Sequence, residues 1–285
     1  MAGEVVVGAD GTFCSLAAVR WAAEMAVARQ RELVLVHAVG HAAGQHDPEW
    51  EAAIAAEAAE VVERAAEYAR HQEPDLKVRT EVDLDTPARC LVRRSATAAL
   101  VVVGTRRTSQ TQHVYSGSLS YEILAGATCS AAVVPPVGDL LDNRVVVGVD
   151  GSADGSVALR EAALEAERKD SVLVVVHAWQ EPPVLRATGW VAPEVVARVR
   201  DREDATLRES VSVLRGEHPG VRVRTHLVQA PPAPALLTAA AHARLLVVGS
   251  RGVNGVARVP LGATSHAVIL HSRCPVLVAR KGEAR

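Results

Sequence analysis

An internal duplication constrains this chain more than any other feature of its sequence. Three apolar segments of the first half recur in the second half with nearly the same residues. The matching segments are residues 5–12 with 145–152, residues 33–38 with 173–178, and residues 100–105 with 245–250. Asp10 and Asp150 lie 140 positions apart, whereas Gly104 and Gly249 lie 145 apart, so the second copy contains an insertion in its middle. Two copies of one pattern predict two domains of the same fold.

The chain length agrees with this division. Its 285 residues exceed the commonest single domain and allow two domains of about 140 residues, each with its own core. A stretch with turn-forming residues at both ends, residues 135–143, separates the two copies. We therefore predict a first domain over residues 1–137, a linker over residues 138–143 and a second domain over residues 144–285.

Within each copy, continuous apolar runs alternate with segments of helical periodicity. In the first copy the predicted strands are residues 4–8, 32–39, 78–84, 99–104 and 131–134, and the predicted helices are residues 15–30, 48–71, 87–97 and 118–126. The second copy repeats this order, with its long helix over residues 193–215. The pattern predicts an α/β fold with two doubly wound domains. Each has a five-stranded parallel sheet, order 3-2-1-4-5, with helices on both faces.

In such a sheet, ligands bind beyond the carboxyl ends of the strands, where the strand order reverses. The reversal lies between the first and fourth strands. Those strands end at Gly8 and Gly104 in the first copy, and at Gly148 and Gly249 in the second. A stretch with spaced glycines, residues 249–265, therefore begins where the fold would place a ligand.

Residues 249–265 follow a strand and precede a predicted helix, which is typical of a phosphate-binding segment. Glycine permits a positive φ or a close approach to a ligand, and free N–H groups at a helix start favour an anion. The spacing Gly249-x2-Gly252-x9-Gly262 matches neither the Walker motif nor the dinucleotide-binding motif. Phosphate would therefore be met by main-chain N–H groups, the hydroxyls of Ser250, Thr264 and Ser265, and Arg251 or a metal ion. The same glycines are also compatible with a turn and a helix cap that bind nothing.

Composition argues against several other classes of protein. A formal net charge of −2 does not favour nucleic-acid binding, and without a long apolar run we expect no membrane span and a cytoplasmic protein. The four cysteines have no metal-ligand spacing, so buried reduced thiols are the simpler interpretation.

These residues resemble the universal stress protein family. The resemblance rests on the duplicated Val-Gly-x-Asp-Gly-Ser/Thr start, the Val-His-Ala of the second strand, and the spaced glycines before a Cys-Pro-Val strand. It covers nearly the whole chain twice. The resemblance implies ATP binding, with adenine near the end of the second strand and phosphates on the glycine stretch. It also implies a homodimer through fifth-strand edges and a regulatory role in stress survival or growth, with an unidentified protein partner.

The resemblance assigns two nucleotide sites by position. The first comprises Gly8, Asp10, Ala38, Gly104, Thr105, Arg107, Gly117, Ser118 and Leu119. The second comprises Gly148, Asp150, Ala178, Gly249, Ser250, Arg251, Gly252, Gly262, Ala263, Thr264 and Ser265. Asp10 and Asp150 could also hold a nucleotide-bound Mg²⁺, and Asp150 alternatively a ribose hydroxyl.

The two copies depart from the family pattern at different positions. Arg107 replaces the middle glycine of the first copy, which is costly if that position needs a positive φ, although a guanidinium can also bind phosphate. Ala263 replaces the usual hydroxyl residue of the second copy, at a cost of about 0.5–1.5 kcal/mol for one hydrogen bond. We therefore predict that the second site binds ATP better.

Three classes of function remain open: an ATP-binding regulator, a slow ATPase or phosphotransferase, and a scaffold that binds no nucleotide. No His–Asp pair is spaced to activate Ser118 or Ser265, and no base or arginine finger is evident, so we expect at most slow hydrolysis. His37 and His177 lie at strand ends near the expected adenine position. We expect them to hydrogen-bond the main chain.

Overall fold

The computed structural model of this chain describes residues 3–40, 47–105, 118–136, 142–181, 193–252 and 261–281. Contacts between Cα atoms divide the chain into two units, Met1–Asp139 with Arg280–Arg285, and Leu140–Ala279. The described part of the first unit contains β1 (Val5–Gly8), α1 (Phe13–Ala28), β2 (Leu33–Ala38), α2 (Pro48–Gln72), β3 (Val78–Asp83), α3 (Pro87–Arg94), β4 (Leu100–Gly104), α4 (Ser118–Gly126) and β5 (Ser130–Val134). The described part of the second contains β6 (Asp142–Gly148), α5 (Ala153–Arg168), β7 (Val172–Trp179), α6 (Pro193–Glu217), β8 (Arg222–Gln229), α7 (Pro232–Ala239), β9 (Ala243–Gly249), α8 (Ala263–His271) and β10 (Val276–Ala279).

Each unit contains a five-stranded parallel sheet. The strand order is β3-β2-β1-β4-β5 in the first unit and β8-β7-β6-β9-β10 in the second. Val5 pairs with Leu33 on one side and with Leu100 on the other, and the corresponding residues of the second unit pair in the same register. The predicted α/β class and the predicted order 3-2-1-4-5 are confirmed.

The central strands are buried because helices cover the sheets. Val5, Val6 and Val7 of β1 have no exposed surface, and small residues such as Ala18 and Ala22 bring α1 close to β1 and β4. Helix α1 packs beside α2, while α3 contacts β1 and packs beside α4. Aliphatic side chains form this core, since aromatic residues are only 3% of the chain. This packing fixes the strand ends that border the candidate sites.

The first helix of each unit starts from the same turn. Gly11 and Gly151 adopt φ values of 73° and 79°, and the following residue is the N-cap. The hydroxyl of Thr12 accepts a hydrogen bond from the N–H of Ser15 at 3.3 Å. Helix α1 therefore begins at Phe13, two residues before the predicted start.

Other boundaries differ from the prediction by a few residues. Helix α3 ends at Arg94 rather than near Thr97, because the hydroxyl of Ser95 donates to the carbonyl of Val92 and accepts from the N–H of Thr128. Strand β6 begins at Asp142, inside the predicted linker, and residues 138–141 of that linker lie outside the described residues. No helix in the described ranges has the length and apolar character that a membrane span requires.

Candidate functional site

A cavity of about 560 Å³ lies in the second unit at the carboxyl ends of β6, β7 and β9. This is the point where the strand order reverses between β6 and β9, as expected for a ligand site in a doubly wound sheet. Ten of the predicted second-site residues line it: Gly148, Asp150, Ala178, Gly249, Arg251, Gly252, Gly262, Ala263, Thr264 and Ser265. Ser250 lies beside the cavity and is buried. Residues 253–260 of the glycine stretch lie outside the described residues.

Gly252 leaves room for the carboxylate of Asp150. A Cβ atom on Gly252 would lie 2.5 Å from Oδ2 of Asp150, so the Asp150 carboxylate would have to move to admit it. Gly252 does not have a positive φ. The condition under which Arg107 would be costly, a positive φ at the middle-glycine position, is therefore not met at Gly252, where the close neighbour is the Asp150 carboxylate.

Gly249 and Gly104 are required by packing between each strand end and the first helix of its unit. A Cβ on Gly249 would lie 2.8 Å from the main-chain carbon and oxygen of Asp154. A Cβ on Gly104 would lie 2.5 Å from the main-chain oxygen of Cys14. These two glycines therefore have a structural function whether or not a ligand binds.

Asp150 and Asp10 organise the turns that start α5 and α1. Oδ1 of Asp150 accepts a hydrogen bond from the N–H of Ser152 at 3.0 Å. Oδ1 of Asp10 accepts from the N–H of Thr12 at 3.0 Å and from its hydroxyl at 2.5 Å. Oδ1 of each aspartate thus supports the helix start, while Oδ2 of Asp150 lies next to Gly252 at the edge of the cavity.

Asp154, in the first turn of α5, holds the beginning of the glycine stretch. Its Oδ2 accepts the hydroxyl of Ser250 at 2.6 Å and the N–H of Arg251 at 3.1 Å, and lies 3.6 Å from Nε of Arg251. Sequence reasoning did not select Asp154, because an acidic residue in a first helical turn is common for electrostatic reasons alone. The corresponding position of the first unit is Cys14.

The hydroxyls expected to bind phosphate have different roles. Ser250 donates to Asp154, and Ser265 donates to the carbonyl oxygen of Gly249 at 2.7 Å. Thr264 lines the cavity, and its hydroxyl has no hydrogen-bond partner within the described residues. Helix α8 starts after Gly262 without a side-chain cap, so its first main-chain N–H groups lack intrahelical partners at the cavity. The main chain and Thr264 are therefore the available donors.

Ser120 is the counterpart of Ser265 in the first unit, and it was not selected from the sequence. Its hydroxyl donates to the carbonyl oxygen of Gly104 at 3.3 Å, as Ser265 does to Gly249. The paired sequence positions, 145 residues apart, were the signal that could have identified it.

The two strand-end histidines bind the main chain as expected. Nδ1 of His177 lies 2.7 Å from the oxygen of Val149, and Nδ1 of His37 lies 2.6 Å from the oxygen of Ala9. His177 is buried and has a second partner, Oε2 of Glu203 on α6, at 2.8 Å from Nε2. A carboxylate therefore reaches the second cavity from α6, and it was not predicted.

A second cavity, of about 340 Å³, occupies the equivalent position in the first unit. Six predicted first-site residues line it: Gly8, Asp10, Ala38, Gly104, Thr105 and Leu119. Arg107 and Gly117 lie outside the described residues, and Ser118 begins α4.

The first cavity is less polar than the second at matched positions. Cys14 stands where the second unit has Asp154, and Leu119 stands where it has Thr264. Leu119 is 42% exposed, so an apolar side chain meets solvent at the start of α4. Within the described residues the first site therefore offers fewer hydrogen-bonding side chains to a nucleotide.

A protein-only metal centre is not formed by the described residues, since no three His, Cys, Asp or Glu side chains converge there. An Mg²⁺ ion in the second cavity would have Asp150 as one oxygen ligand and would need further oxygens from phosphate and water, which Mg²⁺ commonly uses. The residues present fit an ion that arrives with a nucleotide.

The family model described as the universal stress protein family matches residues 1–135 and again residues 143–280. The chain belongs to the universal stress protein family. Universal stress proteins of Mycobacterium bovis and Mycolicibacterium smegmatis are 31% and 33% identical to it, and the alignments cover 97% of this chain and 97% and 96% of those proteins.

The fold agrees with solved structures of the family. A universal stress protein from Archaeoglobus fulgidus superposes with a TM-score of 0.74 at 20% identity, covering 99% of this chain and 97% of that one. Another universal stress protein was solved in complex with cAMP, with a TM-score of 0.36 and 27% identity over 48% of this chain. At that TM-score the similarity carries no inference about ligands of this chain.

Proposed function

We propose that this universal stress protein binds ATP in its second cavity, and that it is a nucleotide-responsive regulator of stress survival or growth. The observation that carries the proposal is the approach of Gly252 to Asp150. There the absence of a side chain leaves space for the Asp150 carboxylate at the start of the glycine stretch, and a Cβ could be added only if that carboxylate moved. Gly252 and Asp150 both line the cavity of about 560 Å³, where the phosphates of a nucleotide and an accompanying Mg²⁺ would bind.

Anion binding is supported by the donors at the start of α8. Its first N–H groups lack intrahelical partners, and the helix dipole favours negative charge at this end. Thr264 adds a hydroxyl, and Arg251 adds a positive charge that is partly neutralised by Asp154. An Mg²⁺ ion bound with the nucleotide would offset the repulsion between the phosphates and the carboxylates of Asp150 and Asp154.

Mass spectrometry of nucleotide released from the purified protein tests the proposal, followed by calorimetry with ATP and Mg²⁺. We expect ATP to be released or to bind with saturation. An empty protein that also gives no heat with ATP would overturn the proposal and favour a scaffold that binds no nucleotide.

A slow ATPase or phosphotransferase is the second candidate. A phosphoryl-transfer site needs a group that positions the attacking oxygen and a cation that stabilises the transferred phosphate. Arg202 and Arg251 line the cavity, and the Arg251 side chain, which lies beside the glycine stretch, is paired with Asp154. We therefore expect fewer than about one ATP to be hydrolysed per minute, as in phosphoryl-transfer sites that lack such groups. Faster release of phosphate would favour the enzyme.

The homodimer stays a prediction, which analytical ultracentrifugation would test.

A further inference from the structure

The second cavity contains a half-buried acceptor, Glu203, that the proposed ATP site does not account for. His177 has 4% of its side chain exposed, and Oε2 of Glu203 lies 2.8 Å from its Nε2. Glu203 keeps 28% of its side chain exposed and lines the cavity. The carboxylate is therefore held by the histidine on one side and faces the ligand space on the other.

The hydrogen bonds determine what Glu203 offers to a ligand. The carbonyl of Val149 can only accept, so the proton of this contact lies on Nδ1 of His177. The hydrogen bond between Nε2 and Oε2 then needs one proton. That proton is on Nε2 of the histidine or on Oε2 of the carboxyl group, and in both cases it lies between these two atoms. The other oxygen, Oε1, has no hydrogen-bond partner among the described residues and carries no proton in either case. It is an acceptor only.

The strand order places Glu203 away from the phosphate end, because Glu203 contacts His177 of β7, the glycine stretch follows β9, and β6 lies between those two strands. Gly252 approaches Asp150, Gly151 approaches Thr206, and Glu203 lies one helical turn before Thr206 on α6. A nucleotide with its phosphates on the glycine stretch would pass Asp150 and Thr206 before its base reaches Glu203. Asp150 is then nearer the ribose, and Glu203 is nearer the base.

We propose that Glu203 is a specificity-determining residue that accepts a hydrogen bond from the exocyclic amino group of a purine, so that the second cavity selects adenine over a 6-oxopurine. The inference rests on the proposed ATP binding. Adenine presents an N–H donor at its 6-position, whereas hypoxanthine and guanine present a carbonyl oxygen there. The carboxylate oxygen and the 6-carbonyl oxygen are both acceptors and form no hydrogen bond with each other, and this disfavours the 6-oxopurine.

The first unit provides an internal comparison. The position equivalent to Glu203 is Ala58 of α2, and the equivalence is supported because Gly11 approaches Val61 as Gly151 approaches Thr206. Ala58 is buried and offers no hydrogen bond. The carboxylate is therefore a property of the second cavity and not of the duplicated fold.

Calorimetry with ATP and inosine 5′-triphosphate tests the inference on the full chain. We expect the wild-type protein to bind ATP roughly ten- to a hundredfold more tightly, as for one hydrogen bond to a charged group. Glu203→Gln adds an amide that can donate to a carbonyl, so the ratio should fall to within about threefold. Glu209→Gln removes the same charge from an exposed position of the same helix and should keep the wild-type ratio.

Each outcome has a separate meaning. Because the ratio is measured within one protein, a loss of folded protein in a variant cancels. Equal affinities of the wild-type protein for the two nucleotides, or an unchanged ratio in Glu203→Gln, would overturn the specificity and leave ATP binding standing. Failure of the wild-type protein to bind either nucleotide would remove the proposed function and this inference with it.

Purine riboside 5′-triphosphate, which lacks the amino group but keeps adenine N1, should bind the wild-type protein more weakly than ATP.

Discussion

At the scale of single residues, the glycines around the second cavity serve different purposes. Gly249 allows close packing on α5, Gly252 leaves space for Asp150, and Gly151 adopts a positive φ. A Cβ on Gly262 would meet only ordinary contacts, the nearest at 3.5 Å. The sequence shows all four as glycine, and only the contacts separate their functions.

Gly252→Ala should weaken ATP binding more than Arg107→Ala does. The added methyl group would displace the Asp150 carboxylate or the start of the glycine stretch, since its carbon would lie 2.5 Å from Oδ2 of Asp150. Calorimetry on both variants measures the difference. Gly216→Ala, in α6 with nothing near the added atom, is the matched control and should bind as the wild-type protein does. A larger effect of Arg107→Ala would identify Arg107 as a phosphate ligand and reverse the ranking of the two sites.

Burial of Cys274 should make the stability of the protein depend on alkaline pH. Loss of hydration raises the pKa of its thiol to about 11, whereas the pKa of an unfolded thiol is about 8.5. The folded state then keeps a proton that the unfolded state releases, so this stability is present below about pH 8.5 and is lost as pH rises towards 11. The slope is at most about 1.4 kcal/mol per pH unit. Urea unfolding at several pH values should give a shallower decline for Cys274→Ala.

At the scale of elements, the start of α5 depends on one hydroxyl. Ser152 is the N-cap, and its side chain accepts the N–H of Gly155 at 3.0 Å. Ser152→Ala should reduce the free energy of unfolding by about 1 kcal/mol, the usual cost of a lost cap. Ser152→Thr, which matches Thr12 of the first unit, is the control and should change it much less. Equal losses in urea unfolding of the two variants would contradict a capping role.

The elements were predictable because their signals are local. Valine runs such as residues 145–147 read as buried strands, the duplicated turns predicted helix starts, and the strand order followed from the alternation of strands and helices. Boundaries shifted where a side chain outside the element intervened, as at Ser95. Such long-range hydrogen bonds leave no periodic signal.

The candidate site was predictable only in part for the same reason. The glycine stretch and Asp150 follow from strand ends and fold topology. Asp154 and Glu203 come from helices, and their importance depends on distant partners, which lie directly after β9 for Asp154 and in β7 for Glu203. Glu203 did leave one signal, because its counterpart Ala58 belongs to the apolar stripe of α2, where a charged residue is unexpected.

At the scale of the whole molecule, the two units share a fold but differ in the chemistry of their cavities. The first has Cys14, Ala58 and Leu119 at positions where the second has hydrogen-bonding side chains. The limits of the two predicted domains and the linker stay a prediction, for which limited proteolysis near residues 138–143 would be a direct measurement.

Titration of the full chain with ATP should therefore show one tight binding phase per chain. The second cavity supplies more donors, and losing several hydrogen bonds lowers affinity by roughly tenfold each at most. Calorimetry should give a stoichiometry near one for the tight phase in the wild-type protein. Gly252→Ala should abolish that phase, whereas Leu119→Ala should leave it unchanged. Two tight phases of equal affinity would show that the first cavity is an equal partner.

The packing of Gly104 and Gly249 has a consequence for how relatives of this chain are compared. Because each glycine meets the main chain of a neighbouring helix, a descendant that had lost every nucleotide contact would still retain both. Their presence in an alignment therefore diagnoses the fold and carries no information about ligands. The positions that are informative about ligands are Gly252 and Glu203. In a relative that no longer bound a nucleotide, Gly252 could be replaced by a residue with a side chain and Glu203 by one without a carboxylate.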